Sequence, residues 1–180
     1  MYNFIAHLIY KIQLKLNKIR FLSNSNISFD KSLRLGNFTT FIIHPSSKGI
    51  IKENVEIRNN FNFVLGKNAT ISIGNKVFLN NYCSINCLES IDIGENTLFG
   101  ENVKLYDHNH KYRNDQVFHQ DFTTGPISIG KNCWLGSNVV VLKGVTIGDN
   151  VIIGAGCVIH KDIPSNSIII NKQEQILKSI

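Results

Sequence analysis

The most regular signal in the chain is a beat of six. Counting from Ile129, every sixth residue is aliphatic: Leu135, Val141, Ile147, Ile153 and Ile159. Glycine follows at Gly130, Gly136, Gly148 and Gly154, and four residues after each aliphatic stands a small apolar one: Cys133, Val139, Val145, Val151 and Cys157. The same beat runs through Ile93, Phe99 and Leu105 with Gly94, Gly100, Thr97 and Val103, and through Ile73, Leu79 and Ile85 with Gly74, Val77 and Cys83. Between these two blocks the phase slips by two residues, as a slightly longer corner requires. One inward aliphatic, one small inward residue and a turn-compatible glycine or asparagine per hexad predict a short extended segment followed by a corner. Three such segments close one triangular coil, and coils stack at the ~4.8 Å spacing of hydrogen-bonded strands. The twelve hexads from Ile73 to Ile159 make four coils. Residues 27–72, with Ile27, Leu33, Leu65 and Ala69 in degenerate order, are expected to add one to three irregular ones. The periodicity predicts an all-β parallel solenoid and leaves its hand open.

The ends carry other patterns. Ile5, Leu8, Ile9, Ile12, Leu16 and Ile19 lie near helical spacing with lysines among them, which predicts an amphipathic helix over residues 1–24. Its apolar runs are too short for a membrane span and no small-residue cleavage site follows, so the helix is expected to stay on the mature protein. Two uses fit it: packing on the solenoid or a neighbouring subunit, and peripheral contact with anionic lipid. Residues 25–165 form the solenoid domain and residues 166–180 a tail, in which NKQEQILKSI suits a short helix.

With 180 residues and 43% hydrophobic content, the chain is one domain that needs no disulfides to hold its core. The net charge is +6, but Lys11, Lys15, Lys18 and Arg20 all precede Asp30, the first acid of the chain, so the rest carries only +2 (15 − 13). That localisation argues against a nucleic-acid partner. Cys83, Cys87, Cys133 and Cys157 form no CxxC pair, and three of them hold the small inward position, so they read as reduced, buried thiols of a cytoplasmic protein.

The beat breaks once. The step from Leu105 to Ile129 is four hexads long where one would do, so three hexads' worth of chain is inserted. The loop 106–126 holds Asp107, His108, Asn109, His110, Lys111, Tyr112, Arg113 and His119. Long insertions in compact domains are commonly functional, and histidine is the usual general base near neutral pH. His108 and His110 are two residues apart with no clear further ligands, which disfavours a zinc site and predicts no metal requirement. A solvated polar loop and anion binding by Lys111 and Arg113 are the other readings.

The hexads, DHNH at 107–110, the inserted loop and PISIGKNCWLGSNVVVLKGVTIGDNVIIGAGCVIHKDIP at 126–164 resemble the hexapeptide-repeat acetyltransferases. The nearest type is the sugar O-acetyltransferases of galactosides, maltose and bacterial surface polysaccharides. The resemblance is strong over residues 65–165 and weak at the ends. It implies a left-handed parallel β-helix, a homotrimer with active sites between subunits, acetyl-CoA as donor and a carbohydrate acceptor. His108 matches the family's catalytic histidine, a general base. Asn80 matches the asparagine on the acceptor sugar and Trp134 the tryptophan beside the centre. Asp107 and His110 are added as acceptor-side residues: Asp107 is a candidate for fixing the imidazole tautomer, and His110 for orienting the loop or the acceptor. Ser137 matches the residue whose backbone N–H approaches the thioester carbonyl, and Ala155, His160 and Lys161 match positions lining the coenzyme A groove. The chain departs from the pattern at His160, where relatives carry Thr or Val. It departs again at Leu88, where they carry an acid near the acceptor, and in its tail, where Gly-x-Pro is missing.

The expected reaction is direct acetyl transfer from acetyl-CoA to a sugar hydroxyl in surface polysaccharide biosynthesis, in the cytoplasm at or near the inner membrane face. An N-acyltransferase acting on a nucleotide-linked amino sugar uses the same scaffold and is the alternative.

Overall fold

The computed structural model describes residues 26–172 continuously, together with 12, 19, 21, 23, 176 and 178. Each hexad becomes an extended segment of two to four residues, and the segments assemble into three parallel sheets that are the faces of a prism. The first face runs from Ile27–Phe29 to Thr146–Ile147, the second from Arg34–Leu35 to Ile168–Ile169, and the third from Thr40–Ile43 to Val158–Ile159. Every coil gives one strand to each face. Six coils are complete, and the bridge Ile147↔Ile163 with strand Ile168–Ile169 begins a seventh. Parallel pairing therefore continues past residue 165.

The pairing Ser128↔Thr146 spans the plain coil of three hexads. Ile27↔Gly49 and Gly49↔Ile71 span coils four residues longer, and Ile71↔Ile91 one that is two residues longer. Residues 27–72 look degenerate in sequence because their two coils are stretched in this way. The extra residues sit at the edge between the third and first faces, at 44–47 and 66–69. The two-residue slip falls at the same edge, at Leu88 and Glu89. The coil spanned by Ile91↔Ile127 is twice the plain length, and its excess is the insertion.

Both inward positions of the hexads are buried, with Leu79, Leu135, Val139, Val141 and Val151 fully enclosed. Each enclosed Ile or Leu adds about 1.5–3 kcal/mol. Phe61 and Phe63 fill the lengthened second coil and Phe99 the fourth. At the top of the stack Phe21 is buried against Phe41, ring centroids 3.9 Å apart, and closes the core. The rest of the expected amino-terminal helix lies largely outside the described residues.

Corners turn on residues in the left-handed region, mostly asparagine: Asn96, Asn132 and Asn150 at one edge, Asn60, Asn102 and Asn138 at another. Asparagine tolerates that conformation, and its amide can bond along the edge. The Asn102 amide donates to the Asn138 carbonyl oxygen at 2.7 Å. Glycine is required where coils nearly touch: a Cβ on Gly94 would stand 2.5 Å from the Gly130 carbonyl.

The insertion is a β-hairpin. His108–Arg113 pairs antiparallel with Gln116–Thr124 across a turn at Asn114 and Asp115, both at positive φ as tight hairpin turns demand. Its base is sewn to the coil by the Gly125 N–H, which donates to the Asp107 carbonyl at 2.9 Å.

Candidate functional site

The strand Lys104–Tyr106 ends the fourth coil on the third face, and alternation along it buries residues 103, 105 and 107 while 104, 106 and 108 look outward. Asp107 is therefore driven into the edge and is fully enclosed. Its carboxylate accepts the Leu88 N–H at 2.8 and 2.9 Å, the Glu89 N–H at 2.7 Å, and a contact of 3.0 Å from His108 Nδ1. A buried carboxylate needs such donors, and charge-assisted bonds of this kind are the strong ones. Asp107 is thus turned to the corner and the imidazole, away from open surface.

The carboxylate can only accept, so His108 presents Nδ1–H to it and carries its lone pair on Nε2. The side chain is 17% exposed, with Phe122 edge-on at 5.2 Å and Tyr106 at 6.5 Å between ring centroids. Two residues on, His110 stands on the same side of the hairpin, tilted against Phe122 at 4.7 Å. Its Nδ1 lies 3.0 Å from the Phe118 carbonyl, which likewise fixes the proton on Nδ1 and leaves Nε2 free. A bulge makes this contact: pairing shifts between His110 and Tyr112, and the looped residues carry Phe118 and His119 back toward His110. His119 lies 6.3 Å from the His110 ring. Lys111 is paired with Asp121 at 2.7 Å, and Arg113 stacks over Phe118 at 4.7 Å. Among the described residues no three His, Cys, Asp or Glu side chains gather in a metal-binding group.

The other residues singled out in the sequence fall elsewhere. Asn80, Ser137 and Ala155 occupy the edge between the second and third faces, in the third, fifth and sixth coils. The Asn80 side-chain carbonyl oxygen accepts the Asn81 N–H at 2.8 Å, and Ser137 Oγ accepts the Glu101 N–H at 3.2 Å. Trp134 is 53% exposed on the second face. His160 and Lys161 are exposed at the edge between the third and first faces, two coils from His108. One chain thus brings together Asp107, His108 and His110. The third face, whose strands span roughly 7–13 Å at 3.3 Å per residue, separates them from Asn80, Ser137 and Ala155.

The bacterial transferase hexapeptide family (six repeats) matches residues 126–161. WbbJ of Escherichia coli K12, named as a lipopolysaccharide biosynthesis O-acetyl transferase, is 31% identical over 156 residues, covering 72% of this chain and 78% of that protein. The chain belongs to the hexapeptide-repeat acetyltransferase family. The galactoside O-acetyltransferase of the same organism is 35% identical over 130 residues, 72% of this chain and 63% of that enzyme, so the chain spans about three fifths of its length. The solved hexapeptide-repeat acetyltransferase VCA0836 from Vibrio cholerae O1 biovar eltor, complexed with acetyl coenzyme A, superposes with a TM-score of 0.59. It is 27% identical, over 68% of this chain and 64% of that one.

In this hexapeptide-repeat acetyltransferase chain all four cysteines are free and buried. Burial, with the neighbouring Asp107 charge, drives the Cys87 thiol upward, and burial raises Cys83 to about 11. Such thiols are poor nucleophiles at neutral pH.

Two features escape the hexad pattern. Outward positions of the second face stack Phe78, Leu98, Trp134, Ile152 and Ile168 into one apolar ladder. On the third face Ser84 Oγ accepts both the Asn62 amide at 3.1 Å and the Asn86 amide at 2.8 Å. The hexad count tracks inward residues; the outward residue between them is the signal that marks these two faces.

Proposed function

We propose that this protein transfers acetyl from acetyl-CoA to a sugar hydroxyl, with His108 as general base. The observation that carries the reading is the Asp107–His108 pair, which holds one imidazole nitrogen as a lone-pair acceptor at the root of the hairpin. The acceptor O–H gives its proton to Nε2 as its oxygen attacks the thioester carbon. The tetrahedral oxyanion collapses, the C–S bond breaks, and the coenzyme A thiolate takes the proton back from the imidazolium. A positioned base of this kind is worth about 10²–10⁴ in rate, because a free alcohol is barely ionised at neutral pH. The Ser137 backbone N–H, aimed at the developing oxyanion, would add about 3 kcal/mol. Holding donor and acceptor in one cleft lowers the entropic part of the barrier.

We further infer a left-handed coil and a homotrimer, both on the family resemblance. The placement of the residues supports the trimer. His108 and the Asn80–Ser137–Ala155 edge lie on opposite sides of the third face in one copy, so a shared cleft needs the edge of a second copy. The acceptor in surface polysaccharide synthesis rests on the likeness to WbbJ.

His110 supports a second reading. It is more exposed than His108, and its Nε2 is freed in the same way by the Phe118 carbonyl. The test is thiol release from acetyl-CoA across a panel of sugar hydroxyl and amino-sugar acceptors, with His108→Ala and His110→Ala side by side. Loss of turnover confined to His110→Ala transfers the role of base, and acetylation of amines alone overturns the O-acetyl assignment.

A further inference from the structure

The outer side of the third face changes character along the prism axis, and the change falls at the coil that carries His108. In the fifth and sixth coils its outward residues are Val140, Leu142 and Val158. In the second to fourth coils they are Asn62, Val64, Ser84, Asn86, Lys104 and Tyr106. The polar residues form an ordered set. Ser84 Oγ receives an amide N–H from Asn62 and another from Asn86, which fixes both amides and leaves the hydroxyl proton free to donate outward. The two amide carbonyl oxygens have no partner among the described residues. They stand as fixed acceptors beside a hydroxyl donor, and Lys104 lies on the neighbouring rung opposite Ser84. Tyr106, opposite Asn86, is the aromatic member. Among the described residues Lys104 has no ion-pair partner, and no carboxylate side chain shares this outer face with it.

This array is continuous with the base. Lys104, Tyr106 and His108 are alternate residues on one side of the same strand and its extension, and the Tyr106 and His108 rings are 6.5 Å apart at right angles. Asn86 is one strand spacing, ~4.8 Å, from Tyr106. A sugar ring beside His108 meets Tyr106 and Asn86 first, and Lys104, Ser84 and Asn62, further along the strand and on the next rungs, would meet the neighbouring unit of a longer saccharide.

We propose that the polar half of the third face, Asn62, Ser84, Asn86, Lys104 and Tyr106, is the acceptor subsite, and that it takes a saccharide bearing an acidic group near the acetylated hydroxyl. The amide oxygens accept sugar O–H groups, Tyr106 covers an apolar sugar face, and Lys104 meets the acidic group as a point charge. The inference rests on the O-acetyltransferase reading above for its chemistry, but binding on this face is measurable without it.

The experiment has two arms. In the first, side-chain amide resonances of Asn62 and Asn86 are followed by NMR while methyl glucuronide, methyl glucoside or glucose 6-phosphate is titrated in without donor. Shifts at both asparagines are expected with an acidic sugar at lower concentration than with the neutral glycoside, and the carboxylate and phosphate probes show which acid fits. In the second, Lys104→Met and Asn86→Ala are compared with the native chain in acetyl transfer. Lys104→Met is expected to raise KM for an acidic acceptor about tenfold and for a neutral one less than about threefold, with KM for acetyl-CoA unchanged. Unshifted amides, or acceptor KM values within about twofold of native in an active enzyme, overturn the subsite. So does a change of oligomeric state in either surface variant, because the face would then be a contact between copies. Amide shifts without any acetyl transfer would instead remove the catalytic reading and leave the saccharide site standing.

Discussion

Asp107 and His108 are chain neighbours with opposite surroundings: the carboxylate is fully enclosed, and it meets Nδ1 of the partly exposed imidazole at 3.0 Å. The same carboxylate takes the N–H groups of Leu88 and Glu89 from the corner that follows the preceding coil's strand. One buried anion therefore fixes both the imidazole of His108 and the corner facing it.

His108→Ala is expected to lower turnover at least about a hundredfold, within the usual range for a lost general base, while acetyl-CoA affinity stays near native. Asp107→Asn keeps the shape, but its amide N–H₂ must face either the Leu88 and Glu89 N–H groups or His108 Nδ1–H, so one donor loses its acceptor. A stability loss of about 1–3 kcal/mol should accompany a fall in turnover. Steady-state kinetics, donor calorimetry and denaturant titration measure these. Native turnover in His108→Ala would end its role as base.

The hairpin leaves and rejoins the coil at one point, through the Gly125 N–H to Asp107 carbonyl bond. Replacing residues 109–124 by a short glycine-containing turn should leave the thermal transition within a few degrees of native, since the excised residues contribute nothing to the buried core of the prism. His110, His119 and the Phe122 wall go with it, so acetyl transfer should vanish while the fold persists. Loss of the cooperative transition would show that the hairpin holds the coil closed.

The solenoid is legible in the sequence because its inward residues recur at a fixed step, and apart from the two-residue slip at Leu88 and Glu89, Ile73 through Ile159 lie where the count of six puts them. The first two coils are less so: Lys67, Asn68, Ser46 and Ser47 lengthen one edge without following the beat, because edge residues obey no period. The inserted segment shows no strand pattern in sequence because its alternation is broken where pairing shifts between His110 and Tyr112. The split of the candidate site between two edges is not legible, because a hexad assigns each residue to a coil but says nothing of which coils and edges meet across copies.

Gly94→Ala should be costly for a reason other than backbone freedom. The new methyl would stand 2.5 Å from the Gly130 carbonyl, so two coils must separate, at about 1–3 kcal/mol. At Gly144 nothing lies within 4 Å, and the cost of alanine there is only that of its positive φ of 76°, about 1–2 kcal/mol. Denaturant midpoints of the two variants test the ranking, and equal losses would remove the close-packing argument.

The Cys83 thiol, raised by burial from an ordinary 9.0 to about 11, makes the fold sensitive to alkali. Above pH 9 the unfolded chain loses this proton and the folded chain does not, so the contribution is complete below that pH and is lost as pH rises toward 11. Cys83→Ala removes the group. Its stability deficit against native at pH 7 should narrow by about 2 kcal/mol by pH 11. Parallel pH curves for the two proteins would mean that Cys83 ionises equally well folded and unfolded.

On the second face Leu98, Trp134 and Ile152 stand in register, each outward and at least one-third exposed, and Phe78 and Ile168 extend the ladder at both ends. An exposed apolar strip of this size is what an association between copies would cover. Charge placed on it should be harmless to a lone chain, because none of these side chains enters the core. Leu98→Lys is therefore expected to convert a trimer to monomer in sedimentation velocity, with little change in the unfolding midpoint of the isolated coil. Turnover should fall with assembly even though Asp107 and His108 are untouched, because the proposed cleft joins His108 of one copy to Asn80 and Ser137 of another. A monomeric native chain, or a monomeric Leu98→Lys variant with full activity, would place the whole site within one copy.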